Sequence, residues 1–174
     1  MSIDSIELIV LDVDGTLTDG GIIYDSSGAE SKFFSAKDGL VLRVMPKLGI
    51  SVVFLTGKNS TIVEKRGKEL EIKGILQGVS DKKSVLLSYL VENEIDAKNA
   101  AYIGDDLNDY PAMQQCGFKG CPSDAVEEIR SICDYISPFP GGQGAVRDIC
   151  EHILKQEDRF KEFLSLFGVT EIQS

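Results

Sequence analysis

Leu11-Asp12-Val13-Asp14-Gly15-Thr16-Leu17-Thr18 follows directly on the apolar run Ile6-Glu7-Leu8-Ile9-Val10, and the two together decide how the chain is read. A short, nearly unbroken apolar run has the pattern of a strand buried on both faces of a parallel sheet. Both carboxylates of Asp12-x-Asp14 then lie at the strand's carboxyl end, where open α/β sheets bind their ligands, and Gly15 allows a sharp turn. Two acids one residue apart at such a place suit a metal ion and a displacement reaction at phosphorus. The plain alternative is an acidic turn. A calcium loop fails on spacing, because it needs glycine at its sixth position and glutamate at its twelfth, and counting from Asp12 these are Leu17 and Ile23.

A chain of 174 residues makes one domain with a full core, expected over 1–174, and its 43% hydrophobic and 26% charged residues place it among ordinary globular proteins. The net charge of -10 argues against nucleic acid or an anionic membrane as partner, and an anionic substrate would need a local cluster of positive residues. Four cysteines without a C-x-x-C pair, beside a single histidine, argue against zinc and for buried free thiols. No signal peptide or membrane-spanning run is evident, which gives the expectation of a cytoplasmic protein.

Beyond the first motif, residues 19–34 read as a β-hairpin flap around the turn Asp25-Ser26-Ser27-Gly28. A helical pattern runs from Asp38 to Leu48, with Pro46 set to disturb its last turn, and Ser51 to Leu55 is a second strand ending in Thr56-Gly57. Asn59 or Ser60 can cap a helix to about Leu70. Short strands at 75–76 and 101–103 bracket a helix that begins near Asp81-Lys82-Lys83. Then come Gly104-Asp105-Asp106-Leu107-Asn108-Asp109, a helix to about Gln115, a strand near Phe118, and a last helix expected over about 143–167. This alternation predicts an α/β fold with a doubly wound, mostly parallel sheet.

Asp12/Asp14, Thr56, Lys82 and Asp105/Asp106 all fall just beyond successive strands and would open onto one sheet edge. In this order they resemble the haloacid-dehalogenase phosphatase superfamily, whose motifs are D-x-D-G-T/V, a Ser/Thr, a Lys and an acidic G-D-D-x-x-D. The resemblance implies a Rossmann-like core and a role for each residue. Asp12 would attack phosphorus, and Asp14 would serve as acid and then base. Asp105, Asp12 and the Asp14 backbone carbonyl would hold Mg²⁺, while Thr56 and Lys82 would grip the phosphoryl oxygens, supported by Gly57, Asp106 and Asp109. Read alone, Thr56-Gly57 is a common turn, Lys82 an ordinary helix-start lysine, and Asp106 or Asp109 a helix cap. The gaps between motifs are too short for a cap domain, so a neighbouring subunit or a large substrate would have to cover the site.

Asp12 to Gly20, Lys32-x-Phe34, Lys37-Asp38-Gly39 and Gly141-Gly142-Gln143-Gly144-Ala145-Val146-Arg147 are similar to the 3-deoxy-D-manno-octulosonate 8-phosphate (KDO 8-phosphate) phosphatases. That resemblance implies a homotetramer with associating hairpins and an active site completed by a neighbour. It also implies substrate contacts from Ser35, Ala36, Lys37, Asp38, Gly39, Arg43, Lys58, Arg66 and Lys82, with Arg147 in support. The lysines and arginines of that set supply the positive cluster that a carboxylate-plus-phosphate substrate demands. Taken singly, Arg43 and Arg66 read as solvated helix faces. Lys37 and Lys58 stand where those enzymes usually carry arginine, which keeps charge but loses bidentate recognition, and Thr16 replaces a common valine. A phosphatase for nine-carbon keto acid 9-phosphates, of KDN or N-acylneuraminate type, is the near alternative. A tetramerisation module related to acylneuraminate cytidylyltransferases is disfavoured by the intact acids and Lys82. A phospho-accepting receiver domain has its acceptor and lysine in the wrong order along the chain.

Overall fold

The computed structural model describes residues 5–170. Its first strand, β1 (Leu8–Leu11), turns Leu8 and Val10 to one face and Ile9 and Leu11 to the other, all four buried. A strand apolar on both sides belongs in the middle of a sheet covered twice, and that is its place. The hairpin follows as β2 (Ile23–Tyr24) and β3 (Glu30–Ser31), antiparallel to each other and forming a separate small sheet. The Asp25 carboxylate closes its turn by accepting the N–H groups of Ser27 and Ala29 at 2.8 and 2.9 Å.

Helix α1 (Ala36–Val44) starts at Ser35, whose hydroxyl accepts the Asp38 N–H at 3.3 Å, a side-chain N-cap. Pro46 converts its continuation into a 3₁₀ turn over Met45–Leu48, as the sequence led us to expect. The chain then runs through β4 (Ser51–Leu55), α2 (Thr61–Glu69), β5 (Gly74–Leu76), α3 (Lys82–Glu92) and β6 (Ala100–Ile103). It closes with α4 (Tyr110–Met113), β7 (Phe118–Cys121), α5 (Glu127–Arg130), β8 (Tyr135–Ile136), α6 (Ala145–Gln156) and α7 (Phe160–Ser165).

The six-stranded sheet has the order β5-β4-β1-β6-β7-β8, and every pairing in it is parallel. One face carries Ile9, Leu11, Val52 and Phe54 against residues of α1, α2, α6 and α7; the other carries Leu8, Val10, Val53, Leu55 and Tyr102 against α3, α4 and α5. The chain winds outward from β1 through β4 to β5, then returns to lay β6 on the other side of β1. The reversal of strand order opens a crevice beyond the carboxyl ends of β1 and β6, the place at which doubly wound sheets bind ligands. No further domain is inserted between these strands among the described residues.

The single helix expected over about 143–167 is two helices. Asp158 sits at φ 57°, and the N–H groups of Asp158 and Arg159 return to the carbonyls of Lys155 and Leu154 at 3.3 and 2.8 Å, closing α6. The bend is anchored to the body of the protein: Glu157 accepts the Ile6 N–H at 2.5 Å, and the Arg159 guanidinium donates to the Leu48 carbonyl. No glycine or proline announces this break, so its cause is tertiary.

Candidate active site

Asp12 is the first residue past β1, and its backbone N–H donates to the Ile103 carbonyl of β6 at 3.0 Å, tying the two strands together at the mouth of the crevice. Lys82, the first residue of α3, arrives from beyond β5, because Asp81 accepts the Ser84 N–H at 3.0 Å and starts the helix there. Its ammonium lies 2.5 Å from Asp12 Oδ1 and 2.6 Å from Asp109 Oδ1, with both partners buried. Asp109 also accepts the Tyr102 hydroxyl at 2.8 Å and the backbone N–H groups of Asp105 and Asp106 at 3.2 and 3.4 Å. It precedes α4 without capping it by side chain, so the capping reading of Asp109 is replaced by a place in the site.

Carboxylate oxygens of Asp12, Asp105 and Asp109 lie within 4.8 Å of one another. One buried lysine against three carboxylates leaves two negative charges uncompensated, and the donors are all hard oxygens, which fits a divalent cation such as Mg²⁺. The strain of this crowding shows in the proton affinities. Burial first, and then the Asp109 charge, hold the Asp12 carboxyl well above the ordinary carboxylate range against the pull of Lys82. Burial, with Asp109 adding to it, pushes Asp105 up to about 6. For Lys82, burial favours loss of the proton, but Asp109 and Asp12 outweigh it and the ammonium is held more firmly than usual. Asp109 thus joins Asp12 and Asp105 in a carboxylate triad. The Asp14 carboxylate is engaged elsewhere.

That engagement is with Lys32, at the end of the hairpin. The Lys32 ammonium donates to Asp14 Oδ1 and lies 3.2 Å from Glu30, and its side chain is only 1% exposed. Thr56 is buried just beyond β4, with its N–H on the Leu76 carbonyl at 2.9 Å. Gly57 is exposed, and a Cβ there would meet only the Val79 carbonyl at an ordinary 3.7 Å. Lys58 is exposed beside it. Asp106 is exposed too, its carboxylate turned onto the Leu107 N–H at 2.7 Å.

The residues expected to contact substrate divide into those at the crevice edge and those directed elsewhere. Ser35 is spent as the cap of α1, and Ala36 and Lys37 are exposed in its first turn. Asp38 is buried at 1% exposure and accepts the backbone N–H groups of Gly144 and Arg147 at 3.3 and 2.8 Å, which anchors the N-terminus of α6. Gly39 lies beneath Arg66, whose Nη2 would be 2.2 Å from a Cβ there, and the Arg66 guanidinium stands 5.8 Å from the Phe34 ring centre. Arg43 is not brought to the site. In the last turn of α1, it pairs at 2.9 Å with Glu71, toward the amino edge of the sheet, and is exposed. Nor is the Arg147 side chain: it bonds Glu151 at 2.6 Å and lies over the Phe163 ring. Among residues the sequence did not single out, Tyr102 and Lys32 are the additions, both recognisable only once the sheet and hairpin are folded.

A buried carboxylate held by a lysine, a second carboxylate two residues on and an oxygen-lined cation site together provide a nucleophile, a proton carrier and charge neutralisation for phosphoryl transfer. Comparison with known proteins gives the same chemistry a family. The family model of haloacid dehalogenase-like hydrolases matches residues 74–147. The 3-deoxy-D-manno-octulosonate 8-phosphate phosphatase of Escherichia coli K12 is 36% identical over 159 residues, covering 91% of this chain and 85% of that protein. The crystal structure of the enzyme of that name from Moraxella catarrhalis, in complex with magnesium, phosphate and KDO, superposes with a TM-score of 0.89 at 42% identity and 93% coverage of each chain. The cobalt-bound enzyme from Haemophilus influenzae gives 0.89 at 32% identity, over 97% of this chain and 98% of that one. With this identity sustained along nearly its whole length, the chain belongs to the 3-deoxy-D-manno-octulosonate 8-phosphate phosphatase family of haloacid dehalogenase-like hydrolases.

Proposed function

We propose that this protein is a Mg²⁺-dependent phosphatase that hydrolyses KDO 8-phosphate to KDO and phosphate, acting as a single domain. The observation that carries the reading is the junction of Asp12, Lys82, Asp105 and Asp109 at the β1/β6 crevice, in a chain similar throughout to phosphatases of that substrate. Asp12 attacks phosphorus while Asp14 delivers a proton to the departing C8 oxygen, so the phosphorus–oxygen bond breaks as the aspartyl-phosphate forms. Water then attacks that phosphorus and gives its proton to Asp14, the bond from Asp12 to phosphorus breaks, and phosphate leaves with Asp12 restored as the carboxylate and Asp14 as the acid. Lys82 neutralises Asp12 in the resting site, and Lys82 and Thr56 hold phosphoryl oxygens as charge develops on them. Asp105 and Asp12, with the Asp14 carbonyl and the support of Asp109, would hold Mg²⁺, which would supply Lewis-acid neutralisation of the phosphoryl group. Lys37, Lys58 and Arg66 are the cations left near the crevice edge for the sugar carboxylate and hydroxyls, beside Ser35, Ala36 and Gly39.

The assembly we propose is a cytoplasmic homotetramer joined through the hairpins, with a neighbouring subunit covering the open crevice. Ile22, Ile23, Tyr24 and Phe33 are all more than half exposed on that hairpin, which supports a buried role for them in an assembly. Arg43, exposed and paired with Glu71 away from its own site, would serve across such an interface. No helix of the described residues is long and apolar enough to cross a membrane.

The test is phosphate release with Mg²⁺ from KDO 8-phosphate beside KDN 9-phosphate, sialic acid 9-phosphate and a hexose 6-phosphate, with Asp12→Asn as the control. We expect a preference of at least tenfold in kcat/KM for the eight-carbon acid, and loss of turnover in the folded variant by roughly a thousandfold or more. Equal, feeble rates on all four substrates would remove the substrate assignment. Substantial Mg²⁺-dependent turnover by Asp12→Asn would remove the nucleophile.

A further inference from the structure

Thr16 is fully buried in the turn after β1, yet it ends in a hydroxyl that needs a partner. Thr18, equally buried in the same turn, satisfies its own hydroxyl locally on the Val13 carbonyl at 3.4 Å. Thr16 instead reaches across the crevice mouth, and its Oγ1–H donates to Asp105 Oδ1 at 2.9 Å. The second oxygen of Asp105 is confined from the same turn. A Cβ on Gly15 would lie 2.0 Å from Asp105 Oδ2, so that oxygen rests over a bare Cα, and Gly15 has a φ of +100° that favours glycine on its own account. Thr16 is itself fixed, because its carbonyl accepts the Gly142 N–H at 3.1 Å. The carboxylate is thus gripped at one oxygen and shaped against the turn at the other, which confines its rotamer and keeps an oxygen within 4.8 Å of those of Asp12 and Asp109.

We propose that Thr16 is a positioning residue that orients Asp105 as a ligand for the divalent cation, with the Gly141–Gly142 turn holding Thr16 in place. The inference rests on the metal reading above and is independent of which sugar phosphate is hydrolysed. A carboxylate ligand held by an outer hydrogen bond binds its ion without first losing rotamer freedom, and removing such an outer partner typically weakens metal affinity by about 10–100-fold. The Thr16 hydroxyl is buried and spent on Asp105, so its effect passes through that carboxylate.

The experiment is calorimetric titration of Mg²⁺ into the substrate-free full chain, for the parent, Thr16→Val and Thr16→Ser. Valine keeps the shape and β-branching and removes only the hydroxyl, while serine keeps the hydroxyl and removes the methyl. We expect Thr16→Val to bind Mg²⁺ at least about tenfold more weakly and Thr16→Ser to stay within about threefold of the parent. A merely structural role would lower the melting temperature of the metal-free variants and leave the dissociation constant alone. Thr16→Val binding within twofold of the parent, or Thr16→Ser binding as weakly as Thr16→Val, would overturn the proposal. Should Thr16→Val not fold, the Thr16→Ser constant alone decides, since a shift beyond threefold in a folded hydroxyl-bearing variant contradicts it. A parent that binds no Mg²⁺ overturns both this inference and the metal reading. A parent that binds Mg²⁺ but releases no phosphate from KDO 8-phosphate sinks the substrate assignment and leaves Thr16 standing.

Discussion

At Asp105 the cost of gathering acids around one lysine becomes a measurable dependence on pH. Burial and the Asp109 charge push its carboxyl up to about 6, above the roughly 3.9 of an unfolded aspartate. Between those two pH values the folded chain keeps a proton that the unfolded chain has lost. Its contribution to stability is therefore full below about pH 4 and is lost as pH rises through 6. In chelator, the melting temperature of the parent measured against Asp105→Asn should fall by a few degrees between pH 4.5 and 7, for a term of about 1–2 kcal/mol. A difference that stays flat or rises would show that Asp105 is not so perturbed. Saturating Mg²⁺ should remove the decline, because the ion binds only the carboxylate. The sequence makes Asp12, Asp14, Lys82 and Asp105 legible because each follows a strand or starts a helix, so its position can be read without tertiary contacts. Lys32 and Tyr102 stay hidden for the opposite reason. One reaches Asp14 only when the hairpin folds back, and the other is an aromatic in a buried strand whose hydroxyl matters only once Asp109 is beneath it.

Among the elements, the glycine turn ahead of α6 has the most exacting shape. Gly141 donates its N–H to Asp124 at 2.9 Å, and a Cβ on it would lie 1.9 Å from the Gly15 carbonyl oxygen. Gly144, in the same turn, has open space where a Cβ would go and only a φ of +104° to recommend glycine. Gly141→Ala should therefore displace the loop that carries Asp14 and lower kcat/KM by roughly 10–100-fold. Gly144→Ala should cost about 1–2 kcal/mol of backbone strain, with kcat/KM within about threefold of the parent. Steady-state kinetics and thermal melts on the two variants check this, and equal effects on activity would argue against close seating of Gly141 on the turn after β1. The strands were readable because apolar runs without alternation fit only a doubly covered parallel sheet, as β1 and β4 show. The break between α6 and α7 was not, since it is imposed by Glu157 and Arg159 bonding to distant backbone. Helix α4 likewise stops at Met113 rather than near Gln115, a four-residue helix whose sequence pattern is too short to show its end.

For the whole molecule, the hairpin carries a cluster of apolar side chains that its own chain leaves uncovered. Tyr24 is 63% and Phe33 62% exposed, although Lys32 between them and the body is buried against Asp14. Ile23→Lys with Tyr24→Lys should turn the proposed tetramer into smaller species by light scattering, and should lower kcat/KM if a neighbour covers the crevice. A parent that is monomeric at micromolar concentration would remove the assembly from the proposal. The sheet itself ends in β5, three residues long, and in β8, two residues long. Edges this brief offer too few unpaired backbone groups to template a further strand. Growth by adding sheet to sheet, which leads to open-ended fibres, is thus closed to this fold at both margins. The association proposed above runs instead through the side chains of the hairpin, where an assembly can be finite.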